Sequence, residues 1–416
     1  MKVLMFGWEF PPYFAGGVGT VCAELSKALS KKGVEITYVM PYGPPNSQSN
    51  YVKLLIADQL YPNLKINIKR VPSLLTPYLS SSEMYSKNYQ KFLDTKSGNG
   101  MKKLYGENLL EEIYLFAEKA ALIAQEEDFD VIHAHDYTTF PAAILAKRIT
   151  GKPLAVHIHI TQFDITGGRG ADPRIYEIEK EGMMAADVVI AISDFVKNRL
   201  MQSYGIPESK IRVVHNAVEF SDKSRLGDEK LLHPKDKIVL FLGRVTLQKG
   251  PDYFVEAAKK VLEKEQNVKF IIASSGDMLP QVIERAAQLG IIDKFIFTGR
   301  FVSREEGDRL YKMADVFVMP SVSEPFGIVA LEAMYHGTPV IVSKQSGVSE
   351  VIQHCLKVDF WDVNQIASNI IAALRYKTLS QALAKNGMEE ACRFDWAVPA
   401  AKCLNIYNEM AGMRGG

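Results

Sequence analysis

The sequence predicts an α/β protein with two doubly wound parallel sheets, and three observations carry that expectation. Short β-branched runs alternate with longer amphipathic stretches along nearly the whole chain, as parallel strands covered by helices on both faces require. The alternation falls into two blocks, separated by the polar, charged segment Asn216–Asp236. Finally, Ala186-Asp187-Val188-Val189 through Ser193 resembles Ala314-Asp315-Val316-Phe317 through Ser321, each reading as helix end, buried strand and serine-bearing strand exit. A chance αβ junction gives the same look, so this repeat supports two related halves without requiring them.

In order, the predicted strands of the first block are Val3–Phe6, Ile36–Met40, Val131–His135, Leu154–Ile160, Val188–Ile192 and Ile211–Val214. Helix patterns lie between them at Glu24–Lys31, Leu109–Gln125 and Ile175–Met184. The second block has strands at Ile238–Leu242, Phe270–Ala273, Phe295–Thr298, Val316–Met319 and Val340–Val342, with helix patterns such as Phe254–Lys264 and Val282–Leu289. The expected domains are therefore 1–216 and 217–395, hinged near residue 216. Residues 41–108 break the rhythm with loop material, yet hold seven of the eighteen tyrosines. Such an insertion, at the carboxyl end of an early strand, would overhang the site of an α/β sheet as an acceptor-binding flap, or its tyrosines would fill a small satellite core.

Composition excludes several classes. At about 100–200 residues per domain, 416 residues suggest two or three domains. With 49 Lys+Arg against 48 Asp+Glu and a net charge of +1, the chain lacks the basic excess of a nucleic-acid or anionic-membrane binder. No apolar run approaches the ~18 residues of a membrane span. Cys22, Cys355, Cys392 and Cys403 form no CxxC pair, which points to a reducing compartment. Glu9 and Pro11-Pro12 interrupt the apolar start, so no signal peptide is read. A soluble, cytoplasmic protein is the expectation.

The first strand exit carries Gly16-Gly17-Val18-Gly19 before a helix. Adjacent glycines there let backbone amides approach an anion, although tight-turn packing explains them equally well. The dinucleotide fingerprint is absent, since Cys22 stands where its last glycine would be, and no GxxxxGK[ST] occurs. His133, His135, His157 and His159 are half of the eight histidines. Residues i and i+2 of a strand share a face, so each pair presents two imidazoles together. With Asp136 they invite a metal reading, a metal-free active site, or satisfied core histidines; the metal-free site is preferred, because α/β active sites gather polar groups at strand ends.

Two motifs in the second block are sharper. Gly243-Arg244-Val245-Thr246-Leu247-Gln248-Lys249-Gly250 follows a strand and precedes a helix. Arg244 and Lys249 on that loop suit a diphosphate, where charge accumulates as a leaving group departs, or are simply a solvated basic pair. Ser323-Glu324-Pro325-Phe326-Gly327-Ile328-Val329-Ala330-Leu331-Glu332 places one acid at a strand exit and another inside an apolar helix. Read as helix throughout, eight residues rise about 12 Å, comparable with the distance from a donor's sugar to its ribose. A buried Glu332 needs hydrogen bonds, which ribose hydroxyls would supply, and the amides of Phe326, Gly327 and Ile328 could hold sugar hydroxyls or phosphate. Asp128-Phe129-Asp130 precedes its strand and reads as a helix-end turn.

Together GGVG, HAHD, VHIH, GRVTLQKG and SEPFGIVALEAM resemble the retaining family 4 glycosyltransferases of GT-B fold, and within them the glycogen or starch synthase-like branch. The resemblance covers nearly the whole chain apart from 41–108 and the linker. It implies two Rossmann-like domains facing a cleft, with the segment 396–416 returning as a helix to the N-terminal domain. It implies a hexose, glucose first, moved from UDP- or ADP-glucose to an α-glucan with retention. The implied catalytic residues are His159, Glu324, Arg244 and Lys249, with Phe163 four residues after His159 fixing that alignment. Gly16, Gly17, Arg244, Lys249, Phe326, Gly327, Ile328 and Glu332 would bind the donor, and His135 and Asp136 would lie on the sugar side. No cofactor, catalytic metal or nucleic acid is implied. One departure stands out: Phe14 replaces the lysine of the KxGG motif of glucan synthases, which weakens the glucan and ADP-glucose assignments. The alternative inside the family is a small sugar, sugar-phosphate or lipopolysaccharide acceptor. Outside it stand a UDP-sugar epimerase and a noncatalytic sugar-nucleotide binder.

Overall fold

The computed structural model describes residues 1–12, 17–43, 49–64, 109–220 and 236–412. They form two compact units, one of Met1–Phe163, Gly170–Asn216 and Trp396–Gly416, the other of Asp164–Arg169 and Ala217–Asp395.

The first unit is built on seven parallel strands: β1 (Lys2–Phe6), β2 (Glu35–Met40), β3 (Lys53–Ile56), β4 (Val131–His135), β5 (Leu154–Ile158), β6 (Val188–Ala191) and β7 (Ile211–Val213). Their order across the sheet is β3-β2-β1-β4-β5-β6-β7. The second has six, β8 (Lys237–Leu242), β9 (Val268–Ala273), β10 (Phe295–Phe297), β11 (Val316–Met319), β12 (Val340–Ser343) and β13 (Leu356–Val358), in the order β10-β9-β8-β11-β12-β13. Strand order reverses between β1 and β4 in one sheet and between β8 and β11 in the other. Parallel α/β sheets bind ligands at such a switch point, outside the carboxyl ends of the strands.

The strands are continuous apolar runs because helices cover both faces: β4, β5 and β6 are buried throughout. An aspartate just before a strand ties the register of its neighbour. Asp187 accepts from the Leu154 amide at 2.8 Å, Asp315 from the Ile238 amide at 2.9 Å and Asp130 from the Lys2 amide at 2.8 Å. This shared device accounts for the aspartate in the two Ala-Asp-Val segments. Asp130 belongs to Asp128-Phe129-Asp130, which lies between the helix Leu109–Glu126 and β4.

Several expectations are corrected. The stretch 41–108 is not all loop: β3 lies inside it and pairs with β2, Thr37 opposite Lys53 through Met40 opposite Ile56. Lys53-Leu54-Leu55-Ile56 has one β-branched residue and opens on a lysine, so it lacks the β-branched or aromatic run by which the other strands are read. β13, Leu356-Lys357-Val358, escapes detection for the same reason. Of the seven tyrosines there, Tyr42 is buried, Tyr51 lies 6.0 Å from the Phe10 ring and Tyr61 donates to Glu126 at 2.7 Å; the other four lie outside the described residues. Asp164–Arg169, expected in the first domain, belongs to the second unit, where Gly167 packs on Leu247 and Val322.

The helix Ala397–Gly412 belongs to the first unit, packing on the helix Gly17–Lys31 and on β4. Its buried face carries Ala400, Cys403, Ile406, Tyr407 and Met410 at helical spacing. Among the described residues no helix is long and apolar enough to cross a membrane.

Candidate functional site

In the second unit the site residues collect where β8 and β11 end. After β8 the chain turns through Gly243 and Arg244 into a short 3-10 turn, Leu247–Lys249, and enters the helix Pro251–Leu262 at Gly250. Gly250 is left-handed (φ 65°), and a Cβ there would stand 2.2 Å from the Pro320 carbonyl oxygen, so only glycine lets the two strand exits pack this closely. Across that contact the buried Gln248 carbonyl accepts from the Val322 amide at 2.9 Å. The loop after β11 is thus bonded to the residue beside Lys249.

The consequence is a contact between Lys249 Nζ and Glu324 Oε2 of 2.5 Å, with the carboxylate side chain 7% exposed and the ammonium side chain 23%. Ser321 Oγ donates to the same oxygen at 3.3 Å. The backbone of Glu324 is held from the other side: its amide donates to the Gln345 carbonyl at 3.0 Å and its carbonyl accepts from the Gly347 amide at 2.9 Å. Ser323 Oγ donates to the buried Asp164 at 2.7 Å. Arg244 is half-buried on the same strand exit.

Gly327 follows with φ 107°, and a Cβ there would lie 3.0 Å from Met319, 3.1 Å from Val348 and 3.2 Å from Glu324 Cγ. It caps the helix Ile328–Tyr335, while the buried Phe326 passes its carbonyl to the Val348 amide at 2.7 Å. The helix therefore begins at Ile328, not at Glu324, and the 12 Å helical rise expected between the two acids does not apply. The αL glycine and the bridge from Glu324 to Ser346 hold residues 324–327 out of helical conformation. Glu332 accepts from the Tyr311 hydroxyl at 2.9 Å, so a tyrosine, rather than a ribose alone, satisfies this acid. Burial still pushes its pKa up, opposed by the Tyr311 hydrogen bond.

In the first unit the four predicted histidines lie on one face of β4 and β5, all buried. His159 comes one residue after β5 ends, yet its ring is 4.3 Å from that of His157. His135 Nδ1 and His159 Nε2 share a hydrogen bond of 2.9 Å. Burial pushes the pKa of His133 and His159 down to about 3 and those of His135 and His157 well down, so the rings are neutral.

Asp136, 1% exposed, accepts at Oδ1 from the His159 amide at 2.7 Å and from the Ile160 amide at 3.4 Å. Its carboxylate thus holds the backbone that carries His159. Glu179 continues the support, accepting from the Gln162 amide at 2.9 Å and from the Tyr204 hydroxyl. Gly17 opens the helix Gly17–Lys31, and a Cβ there would meet nothing within 4 Å among the described residues; Gly16 and Phe14 lie outside them.

Ser321, Gln248, Tyr311 and Glu179 escaped the sequence reading. Two had a signal: Ser321 as the terminal serine of the repeated Ala-Asp-Val segment, and Gln248 as a member of the Gly243–Gly250 motif.

Comparison with known proteins follows the same lines. Residues 222–390 match the family described as Glycosyl transferases group 1, and residues 100–222 match Glycosyltransferase Family 4. A glycosyltransferase of Methanocaldococcus jannaschii, uncharacterized by its description, is 30% identical over 434 aligned positions, covering all of both chains. The chain belongs to the family 4 glycosyltransferases. A D-inositol 3-phosphate glycosyltransferase of Catenulispora acidiphila is 29% identical over 67% of this glycosyltransferase and 70% of its own length. Among solved structures, sucrose-phosphate synthase from Thermosynechococcus elongatus superimposes with a TM-score of 0.74 at 19% identity, covering 99% of each chain. The catalytic domain of starch synthase IV from Arabidopsis thaliana, bound to ADP and acarbose, gives 0.68 at 16% identity over 99% of each chain. These likenesses establish the GT-B fold of the enzyme, with its two Rossmann-like parallel-sheet domains.

Proposed function

We propose that this enzyme transfers a hexose, glucose first, from a UDP- or ADP-sugar to a small sugar or sugar-phosphate acceptor, with retention at the anomeric carbon. The observation that carries the donor half is the Lys249–Glu324 contact at the β8/β11 switch point, with Arg244 on the same strand exit. A cation held against a buried carboxylate beside the helix Pro251–Leu262 is suited to take up a diphosphate, while the carboxylate is released to sugar hydroxyls. In the step itself the acceptor oxygen forms a bond to C1 on the face from which the phosphate oxygen departs. The acceptor proton passes to that oxygen, and a nucleoside diphosphate leaves. In the second unit Arg244 and Lys249 stabilise the charge on the leaving group, Glu324 touches the sugar and Glu332 reaches the nucleoside; in the first unit the catalytic role falls to His159.

The acceptor half rests on the names of relatives. D-inositol 3-phosphate glycosyltransferases and a mannosylfructose-phosphate synthase of Agrobacterium fabrum, 29% identical over 53% of each chain, all carry phosphorylated sugars or cyclitols in their names. Phe14 in place of the KxGG lysine also favours this acceptor class over the glucan first expected.

Two measurements decide. A thermal-shift screen with UDP, ADP and GDP should show stabilisation by one of the first two; no shift with any of them removes the donor assignment. With radiolabelled UDP-glucose and ADP-glucose, label should move into anionic low-molecular-weight product when hexose phosphates and inositol phosphates are offered. Label in ethanol-insoluble glucan instead would restore the glucan reading, and an inverted anomer by NMR would remove retention.

A further inference from the structure

The histidine array carries more than one catalytic imidazole requires. His135 and His157 are direct neighbours in the β4/β5 register, and His133 and His159 flank them along the strands. Ring centroids are 4.4 Å apart for His133–His135, 5.3 Å for His133–His157 and 5.4 Å for His135–His157. Five of the eight ring nitrogens are buried without a hydrogen-bond partner among the described residues: His133 Nε2, His135 Nε2, both nitrogens of His157, and His159 Nδ1. Buried polar atoms in folded proteins are nearly always partnered, and each orphan costs about 1–3 kcal/mol. Five on one sheet face call for an occupant.

Their pairing shows which occupant fits. A neutral imidazole has one N–H and one lone pair. His133 Nδ1 lies 2.6 Å from the Tyr407 hydroxyl, and His135 Nδ1 is committed to His159 Nε2. With the proton at Nδ1 in each, the Nε2 atoms of His133 and His135 both carry lone pairs, and His157 offers another from either nitrogen. Ligand atoms of these three residues lie within 4.8 Å of one another. A tetrahedral zinc with Zn–N of about 2.0–2.1 Å spaces its nitrogens by about 3.4 Å, so modest ring rotation closes the site. A histidine ligand whose other nitrogen is held by a protein group is the usual outer-shell arrangement around such an ion. Nor is the surrounding core apolar throughout. The carboxylates of Glu9 and Asp136 are buried in this unit, Asp136 directly following His135, and supply negative charge to offset a dication.

We propose that His133, His135 and His157 form a binding site for one borderline transition-metal ion, zinc being the first candidate, inside the N-terminal Rossmann-like unit. The ion is structural, distinct from the transfer step. It ties β4 to β5, and through His135 it fixes the tautomer of His159, whose Nε2 accepts from His135 Nδ1. Only that last consequence depends on the role assigned to His159; metal binding itself does not.

The test uses the untagged full-length chain, stripped with a chelator and titrated with Zn2+ by calorimetry and with Co2+ by visible absorption. The expected result is one equivalent bound per chain, a tetrahedral Co2+ spectrum and a raised thermal midpoint. His157→Leu should weaken zinc binding at least about a hundredfold while leaving the chelated protein folded and no less stable, because it removes two unpartnered buried nitrogens. His354→Ala, at an exposed position in the other unit, should leave binding unchanged. Failure to bind one equivalent, or binding undiminished by His157→Leu, overturns the proposal, whichever donor and acceptor the enzyme uses.

Discussion

Lys249 and Glu324 stand 75 positions apart in the sequence and meet with Nζ 2.5 Å from Oε2. Neither side chain makes this pair by itself. The Gln248 carbonyl, bonded to the Val322 amide, sets one loop against the other, and Gly250 permits the approach. The pair is therefore part of the fold as well as of the proposed chemistry.

That double role predicts coupling. Lys249→Ala and Glu324→Ala should each lower transfer at least about a hundredfold, as loss of a transition-state contact does. In chemical unfolding, the single variants should each lose stability while the double variant loses less than their sum, with an interaction of about 0.5–3 kcal/mol. Additive unfolding energies would show that the two charges do not depend on one another.

Gly327 sets the position of Glu324 by leaving space. Gly327→Ala places a methyl group 3.2 Å from Glu324 Cγ in a backbone conformation that L-residues avoid. The expected cost is about 1–3 kcal/mol of stability, with kcat falling more than donor affinity. An alanine variant with unchanged thermal midpoint and kcat would contradict the packing argument.

Glu332 gives a pH signature. Its folded pKa is raised from the ordinary 4.5 by burial, so above pH 4.5 the folded protein holds a proton that the unfolded chain releases. Stability must then fall as pH rises through the window from the unfolded to the folded pKa, and stay flat below it. Glu332→Gln removes this fall. The wild-type minus Gln difference in unfolding free energy, followed upward from about pH 4.5, should become steadily less favourable to the wild type; a difference moving the other way would reverse the assigned shift.

Asp136 separates positioning from contact. It sits at φ 55° and holds the His159 amide. Asn keeps an acceptor oxygen for that amide and Ala does not, while the backbone at ψ 169° strains both alike. Asp136→Ala should cost about 1–3 kcal/mol and Asp136→Asn clearly less. Activity should follow the same order, with the Asn variant recovering most of kcat. Equal losses in both variants would mean that the charge itself is used.

Much of the fold was legible before any coordinates. Continuous apolar strands alternating with amphipathic helices left two doubly wound sheets as the natural arrangement, and eleven of the thirteen strands were found at or near their observed places. The two missed, β3 and β13, have four and three residues. Each carries a lysine and only one β-branched residue, so neither shows a strand-like run, and they exist because a neighbouring edge offers hydrogen bonds.

At the site, the motifs by themselves determined which residue types gather at which strand exits: Arg244 and Lys249 after β8, Glu324 after β11, histidines at the ends of β4 and β5. Partnership was decided only in three dimensions. Tyr311 takes Glu332, Asp136 turns to backbone amides, Gln248 braces the loop beside Lys249, and Tyr407 reaches His133 from a helix 274 residues further along the chain. Spacing along a chain encodes which face a side chain shares, because that follows from local backbone geometry. Which distant group satisfies a buried donor or acceptor depends on how separate elements pack, and no local pattern carries that information.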